Sequence, residues 1–294
     1  MKERSHNRRI NEQSNTLTIK YYRHGIPYPD SPYHGIYPEL CRLHDQLLLQ
    51  EVIKMYTKIK EKIERIVAEN NLSEEAVVIR AKPLTPEEAI GNPEGDDFPI
   101  LKGRERMMQA EFRGSFGQAF TDMYGNFEGT LRDVLAMELN NNYRRAIFVA
   151  TLNAVMRSLG MIEGSVHCKD AGPEECGLDL LEFLEGHRGS RIALVGFQPV
   201  HARRCSERHD LKILDMDPEN IGKEKSGVVV LDGSMDTEEV LEWCDLALVT
   251  GTTVVNRTLE PILEMAGGKA VFYGISISGV AELLGLERFC PRST

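Results

Sequence analysis

Five short apolar segments in the second half of the chain alternate with stretches that have helical spacing. The segments are rich in Val, Ile and Leu, without the polar alternation of a strand that faces water on one side. Such strands need helices on both faces of their sheet, and the right-handed crossover rule then predicts a Rossmann-like, doubly wound parallel sheet over residues 178–294. The predicted strands are Ile192–Val195, Lys212–Leu214, Val228–Leu231, Leu246–Val249 and Ala270–Tyr273.

The apolar residues in the first half of the chain have a weaker periodicity. Residues 1–45 are polar and then rich in Tyr, Pro, His and Gly without a period, which predicts an irregular N-terminal arm. An apolar stripe at helical spacing predicts a helix at about 45–70. The elements expected after it are a strand at 77–81, a loop at 82–103, a strand around 107–121, and helices at 131–139 and 143–159.

The last of these helices is apolar almost all round, which predicts a buried helix. Asn153 lies inside its apolar run. We interpret it as a core amide that bonds to backbone groups, with a ligand contact as the alternative.

Composition restricts the class of protein. Among 294 residues, 45 are acidic and 35 are basic, so a net charge of −10 argues against nucleic acid as a partner. No apolar run approaches the ~20 residues of a membrane span, and the polar start is unlike a secretory signal, so we expect a cytoplasmic protein without a membrane partner. Six cysteines in so long a chain are expected to be reduced thiols. A homo-oligomer is compatible with all of this.

The sequence Thr250-Gly-Thr-Thr-Val-Val-Asn256 follows the fourth predicted strand. Ligands of open parallel sheets bind beyond the carboxyl ends of the strands, where free N–H groups and a helix dipole favour an anion. Gly251 would allow close approach, Thr252 or Thr253 would cap a helix, and Asn256 would reach back. The turn therefore predicts a small anionic ligand, with simple capping of its own helix as the alternative.

Residues at two other strand ends are expected to contribute to this candidate site. The turn Gly196–Pro199 is expected beside Thr250–Thr253, and Asp215 or Asp217 is placed to bind ribose hydroxyls, with an ordinary surface turn as the alternative. The candidate ligand-binding residues are Gly196, Phe197, Gln198, Pro199, Asp215, Asp217, Thr250, Gly251, Thr252, Thr253 and Asn256.

Motifs for specific reactions are missing. The chain has no G-x-G-x-x-G, no P-loop, no G-x-S-x-G and no H-E-x-x-H. Carboxylates suited to acid–base work include Glu105, Asp122 and Asp215, but sequence spacing does not pair them.

Two clusters contain soft metal ligands. His167, Cys168 and Cys176 lie on a Gly/Pro segment and could bind zinc or iron, with ordinary reduced cysteines as the alternative. His201, Cys205 and His209 are spaced by four and so share one helix face. The outer two would be about 12 Å apart on a helix, too far for one ion, so we interpret this face as a polar surface.

Several longer stretches resemble a known family. VGFQP, LDMDPENIG, WCDLALVTGTTVVNRTLEPIL and VFYGISISGVAELLGLERFCP, with FPILKGRERMMQAEFRGSFGQAFTD and AIFVATLNAVMRSLGM upstream, are similar to the putative heavy-metal-chelation family, a group of domains of unknown function. The resemblance covers about residues 77–294. It implies a domain similar to the enolase N-terminal fold at 46–165, a Rossmann-like domain at 166–294, and a site in the cleft between them. We place no counterpart of the arm at 1–45 in the family.

Three functions remain open. The favoured one is binding of a small anionic or metal-linked metabolite in the interdomain cleft. The second is an enzyme that acts on a nucleotide-like substrate or cofactor in the same cleft. The third is a metal-handling or redox-sensing protein that depends on His167, Cys168 and Cys176.

Overall fold

The structure, a computed structural model, describes residues 55–72, 82–92, 98, 100, 105–187 and 190–294. The arm expected at 1–45 and the strand expected at 77–81 lie outside the described residues. Within these described ranges, no helix has the length and apolar character that crossing a membrane requires.

A three-stranded antiparallel sheet comes first, with the order β1-β2-β3. Its strands are β1 (Lys82–Leu84), β2 (Arg106–Phe112) and β3 (Ser115–Thr121). The single strand expected around 107–121 is thus a hairpin, with Phe112 paired to Ser115. Arg113 and Gly114 form its turn with φ of 50° and 77°, and two-residue hairpin turns favour such positive φ values.

The loop expected at 82–103 also contains regular structure. Strand β1 lies in it, followed by helix α2 (Pro86–Ile90). Thr85 caps this helix: its hydroxyl accepts from the Glu88 amide, and the Glu88 carboxylate accepts from the Thr85 amide. This reciprocal pair satisfies two amides that a helix start leaves open, so a short helix is stable here.

Three longer helical predictions agree with the structure. Residues 55–69 are helical (α1), which confirms the described part of the helix expected at 45–70. Helices α3 (Leu131–Ala136) and α4 (Asn142–Ser158) stand where helices were predicted. Twelve of the seventeen residues of α4 are buried, which confirms the prediction of a buried helix.

The second half of the chain forms a seven-stranded sheet with the order β10-β9-β8-β4-β5-β7-β6. Its strands are β4 (Arg191–Val195), β5 (Asp210–Asp215), β6 (Glu224–Lys225), β7 (Val228–Asp232), β8 (Leu246–Thr250), β9 (Ala270–Tyr273) and β10 (Arg288–Phe289). All neighbours are parallel except β6 and β7. The predicted parallel sheet is therefore confirmed.

The chain winds outward from β4 in both directions. Strands β5 and β7 lie on one side of β4, and β8, β9 and β10 lie on the other. This is the order 3-2-1-4-5-6 of doubly wound sheets, in which the strand order reverses between the first and fourth strands. The reversal here falls between β4 and β8.

Helices cover both faces of this sheet. They are α5 (Gly172–Phe183), α6 (Pro199–Ser206), α7 (Thr237–Trp243), α8 (Thr253–Asn256), α9 (Leu259–Ala266) and α10 (Ser278–Leu284). Alternate residues of β4 enter two cores: Ile192 and Leu194 pack in one, Ala193 and Val195 in the other. The second core continues into α1, α3 and α4, so the two halves of the chain share apolar packing.

Asn153 of α4 ties the two sheets together. Its side-chain amide donates to the backbone carbonyls of Gln118 in β3 and Ile275 after β9, both at 3.0 Å. Its oxygen accepts from the Gly279 amide of α10 at 2.8 Å. Asn153 is fully buried, so the interpretation as a satisfied core amide is confirmed.

Candidate functional site

Two turns lie side by side where the strand order of the sheet reverses. We call them the β4 turn (Gly196–Pro199) and the β8 turn (Thr250–Thr253). At Gly196 φ is 87°, and a Cβ added there would lie 2.5 Å from the Thr250 Cγ2 atom. The Tyr273 hydroxyl donates to the Gly196 carbonyl at 2.7 Å. The expected proximity of the two turns is therefore present.

The β4 turn is built into the start of helix α6. The Gln198 side-chain oxygen accepts from the His201 amide and so caps the helix, and Pro199 takes its first position. Phe197 is buried in a core, with the Lys225 ammonium 5.2 Å from its ring centroid. The residues of this turn thus have structural contacts of their own, and their role in ligand binding stays a prediction.

The amides of the β8 turn are mostly used within the protein. The Gly251 amide donates to the Tyr273 carbonyl at 2.8 Å, and the Val254 amide to the Gly251 carbonyl at 3.3 Å. A Cβ on Gly251 would lie 2.8 Å from the Ile277 nitrogen, so the glycine makes room for backbone rather than for a ligand. The expectation of free N–H groups over 251–254 therefore fails at these positions.

The polar side chains after β8 also differ from expectation. Thr252 holds the N-cap position of α8, but its side chain makes no capping bond and its hydroxyl lies 3.2 Å from that of Thr250. The Thr253 hydroxyl donates to the Thr250 carbonyl at 2.8 Å. Asn256 accepts from the amide and hydroxyl of Thr258, at 3.2 and 2.7 Å, and so points forward along the chain. Thr252 therefore occupies the predicted N-cap position, but the predicted side-chain capping bond and the reach-back of Asn256 are wrong, because local turn bonds satisfy these groups instead.

At the end of β5, Asp215 and Asp217 form the turn that their sequence favours. Asp215 accepts from the amides of Met216 and Asp217 at 2.6 and 3.1 Å and from the Asn220 side chain at 2.8 Å. Asp217 accepts from the Glu219 amide at 2.9 Å. Burial nevertheless raises the pKa of Asp215, so its charge is incompletely stabilised in spite of these bonds.

A partly buried carboxyl group from the other half of the chain lies near Asp215. Burial raises the pKa of Glu105, just before β2, to about 7, and negative charge on Asp215, Asp122 and Asp217 raises it further. We call these four residues the acidic edge. Glu105 and Asp122 flank strands of the antiparallel sheet, and Asp215 and Asp217 lie at the end of β5, so tertiary structure brings the four within electrostatic range, which sequence spacing could not reveal.

Direct bonds fix the antiparallel sheet against this edge. The Phe120 amide of β3 donates to the Ser276 hydroxyl, which follows β9, at 3.0 Å. Within the first half of the chain, the Asn142 side chain at the start of α4 donates to Asp122 at 2.6 Å and so holds this carboxylate in place. The halves of the chain therefore meet at the carboxyl ends of the parallel strands.

The predicted soft ligands occupy two different environments. The His167 ring contacts the Cys168 carbonyl through Nδ1 and packs edge-on against Phe120, and burial lowers its pKa. Burial raises the pKa of the half-buried Cys168 thiol to about 12. Cys176 was expected on a loop but lies buried as the fifth residue of α5, because Gly172 and Pro173 begin a helix there.

The interpretation of His201 and Cys205 as a polar helix face is wrong. Both side chains are buried, since this face of α6 packs against the parallel sheet. The His201 ring lies edge-on to Tyr273 with centroids 4.8 Å apart, and its Nε2 atom is 3.8 Å from the Cys176 Sγ atom. Its Nδ1 atom is buried without a hydrogen-bond partner, and burial lowers its pKa to about 4. His209 lies beyond the end of the helix at Ser206.

These ligand types do not form a ready-made metal site. Within the described part of the chain, no group of three His, Cys, Asp or Glu side chains is placed to hold a metal ion. His167, Cys168 and Cys176 therefore do not converge on one point as they stand.

An open groove elsewhere contains none of the predicted residues. It lies between α3 and α4 and is lined by Phe127, Asp133, Ala136, Met137, Glu138, Tyr143 and Arg144. Since the acidic edge and both turns lie at the carboxyl ends of the parallel strands instead, we place the candidate site there.

Residues 179–286 match the family described as "Putative heavy-metal chelation". The predicted resemblance to this family is confirmed. The match runs from α5 to just beyond α10 and so includes both turns, Asp215 and Asp217. A search of curated proteins found no match to the chain.

Two solved structures of the same family are similar to this chain. One is a protein of unknown function from Pyrococcus horikoshii, with 17% identity and a TM-score of 0.50 over 76% of this chain and 79% of that one. The other, also of unknown function, comes from Desulfitobacterium hafniense DCB-2, with 17% identity and a TM-score of 0.49 over 81% and 85% of the two chains. At this identity the likeness to the Pyrococcus horikoshii protein shows a shared fold. The predicted similarity between the first domain of the present chain and the enolase N-terminal fold stays a prediction.

Proposed function

We propose that the acidic edge and the two turns beside it bind a small metabolite that carries a metal ion. The observation behind this proposal is the convergence of four carboxylates from two sheets. Burial is the largest cause of the raised pKa of Glu105, and negative charge on Asp215, Asp122 and Asp217 raises it further, so this carboxyl group lies in a negative field. A negative field at a ligand site favours a ligand with a cationic centre.

The position in the fold supports the same conclusion. Open parallel sheets bind ligands at their carboxyl edge where the strand order reverses, and the β4 and β8 turns flank that point here. Carboxylate oxygens suit hard ions such as Mn²⁺, Mg²⁺ and Ca²⁺. No three metal-binding side chains in the described ranges are placed to hold an ion alone. We therefore infer that the ion arrives with part of its coordination supplied by the metabolite.

The same residues limit the charge that the ligand can carry. A purely anionic ligand would meet like charge at Asp215 and Asp217, and the amides of Gly251 and Val254 are already bonded. We therefore propose an anionic ligand only if it is a chelator whose negative charge is offset by its bound metal ion. The family description agrees with a metal-linked role.

A second candidate function is an enzyme at the same edge. Glu105 favours it, because a carboxyl group with a pKa of about 7 can both give and take a proton near neutral pH. An enzyme that uses Glu105 would lose turnover in the Glu105→Gln variant at unchanged ligand affinity, whereas a pure binding protein would show a change in affinity alone.

The binding proposal is tested by thermal unfolding with Mn²⁺ alone, citrate alone, and both together. At a hundred times the dissociation constant, binding stabilises by about 2.7 kcal/mol, which at ~2.1 cal/mol/K of unfolding entropy per residue corresponds to roughly 4–5 °C in a chain of this size. We expect this shift only with metal and citrate together. Absence of a shift at millimolar manganese citrate would argue against the proposal.

Two variants of strand β5 make the test specific. Asp215→Asn removes a charge at the carboxyl edge while keeping one oxygen that can accept from the Met216 and Asp217 amides, so it should abolish the shift. Asp210→Asn removes a charge at the opposite end of the same strand and should leave the shift unchanged. Equal shifts in melting temperature in both variants would show that the ligand binds away from Asp215.

A further inference from the structure

We propose that Arg145 is a positioning residue of the acidic edge, which holds the Asp122 carboxylate in one orientation through Asn142. This inference rests on the proposed function, because it adds to the same site a residue that does not touch the ligand itself. A chain of hydrogen bonds from α8 through α4 to the end of β3 carries it.

Arg145 is a buried cation whose hydrogen bonds go to uncharged groups. Its side chain is 4% exposed. Among the described residues, the guanidinium donates to the Val255 and Leu139 carbonyls at 2.5 and 2.8 Å and to the side-chain oxygen of Asn142. Arginine is almost never fully buried without a charged partner, because removing its charge from water is costly. Packing of α4 against α8 alone therefore does not explain a guanidinium at this position.

Two backbone carbonyls hold the guanidinium in place. Leu139 precedes α4, and Val255 lies in α8, the helix that follows the β8 turn. The five N–H groups of a guanidinium form a rigid planar fork. Once two branches of the fork are bonded to backbone, the direction of the third is fixed, and this third branch donates to Asn142. The orientation of the Asn142 side chain thus depends on Arg145.

The donors and acceptors around Asn142 allow only one arrangement of its amide. Arginine can only donate, so the side-chain oxygen must face Arg145. The amide nitrogen then faces Asp122 and donates to its Oδ1 atom at 2.6 Å, where a charged carboxylate can only accept. A reversed amide would place a donor against the guanidinium and an oxygen against the carboxylate. Arg145 therefore determines which group Asn142 presents to Asp122.

Asp122 gains a fixed orientation from this contact. Its residue is exposed, so the side chain would otherwise rotate freely in solvent. Within the described part of the chain, the bond from Asn142 to Oδ1 is the only hydrogen bond to this carboxylate, which leaves Oδ2 available to a ligand. A side chain that is ordered before binding loses less conformational entropy when the ligand arrives. The expected effect of Arg145 is therefore on affinity.

Calorimetric titration of the full chain with manganese citrate tests this proposal. Asn142→Ala should weaken binding by about tenfold, the usual effect of removing a group that orients a ligand-binding side chain. Asn141→Ala is the matched control, because the neighbouring Asn141 side chain instead caps α4 by accepting from the Arg144 amide. The control should lower the melting temperature and leave affinity unchanged. Unchanged affinity in Asn142→Ala, or equal losses in the two variants, would overturn the proposal.

A double variant tests the route from Arg145. Arg145→Lys keeps the positive charge but lacks the fork, so it should weaken binding as Asn142→Ala does. Combining the two changes should cause no further loss, because Arg145 acts through Asn142. Additive losses would show that Arg145 acts independently and would overturn the proposal. If Arg145→Lys fails to fold, the comparison of Asn142→Ala with Asn141→Ala decides alone.

A measurement without ligand separates this inference from the proposed function. Burial and negative charge on Asp215, Asp122 and Asp217 raise the pKa of Glu105. An Asp122 carboxylate released from Asn142 would turn toward solvent, so the pKa of Glu105 should fall in Asn142→Ala, as measured by carboxyl NMR titration. If the parent binds no manganese citrate, the proposed function fails, and an unchanged Glu105 pKa in Asn142→Ala would then overturn the role of Arg145 as well.

Discussion

Replacing Asn153 by alanine should destabilise the protein more than the loss of a hydrogen bond that stays within α4. The substitution leaves the carbonyls of Gln118 and Ile275 and the amide of Gly279 without their partner. A buried polar group without a partner costs about 1–3 kcal/mol, and a water molecule entering the space would recover part of this. We therefore expect a loss of about 3–5 kcal/mol, which is a large share of the ~5–15 kcal/mol typical of a domain.

Guanidinium unfolding measures this loss. Trp243, the only tryptophan, lies in α7 and reports on the parallel sheet, while circular dichroism reports on the whole chain. Thr151→Val is the matched control: Thr151 is also buried in α4, but its hydroxyl bonds only to the Ile147 carbonyl of the same helix. We expect the control to lose no more than about 1 kcal/mol. An equally small loss for Asn153→Ala would refute the argument.

Two further predictions concern the candidate site. The folded protein keeps the Glu105 proton up to about pH 7, while the unfolded chain releases it near the ordinary pKa of glutamate, so the free energy of unfolding should fall as pH rises between these values. Glu105→Gln should remove this fall and raise the free energy of unfolding by about 1–3 kcal/mol at pH 8. Equal changes in the free energy of unfolding between pH 5 and pH 8 for parent and variant would contradict this. Gly196→Ala should lower the melting temperature more than Gly274→Ala. The two glycines have nearly the same φ, 87° and 88°, but only at Gly196 would the new Cβ meet another side chain, that of Thr250. Equal losses of melting temperature would count against close packing of the two turns.

Much of the fold follows from local patterns. The five parallel strands were predicted because each is apolar on both faces, and α4 because its apolar residues leave no polar stripe. The hairpin turn at Arg113 and Gly114 was missed because arginine rarely adopts a positive φ. The short helix α2 could have been predicted, since Thr85 and Glu88 have the spacing of a capping box.

The candidate site was less predictable. Glu105 and Asp215 are brought together by docking of two sheets, and no local pattern encodes that. The prediction for His201 and Cys205 was wrong because their spacing shows that they share a face of α6 but not that this face meets the sheet, while Arg203 and Arg204 take the outer side. The domain borders, the cytoplasmic location and a homo-oligomer stay predictions.

The burial of α4 between two sheets has a consequence for synthesis of the chain. One side of this helix rests on β3 so closely that a Cβ on Gly117 would lie 2.2 Å from the Ala154 nitrogen. Its other side packs against α8 and α10, which begin at Thr253 and Ser278. At ~5–20 residues per second, a ribosome needs roughly 5–20 s to make the roughly 100 residues that separate them. During that interval we expect the nascent chain to present an apolar helix without its later partners, the kind of surface that chaperones bind.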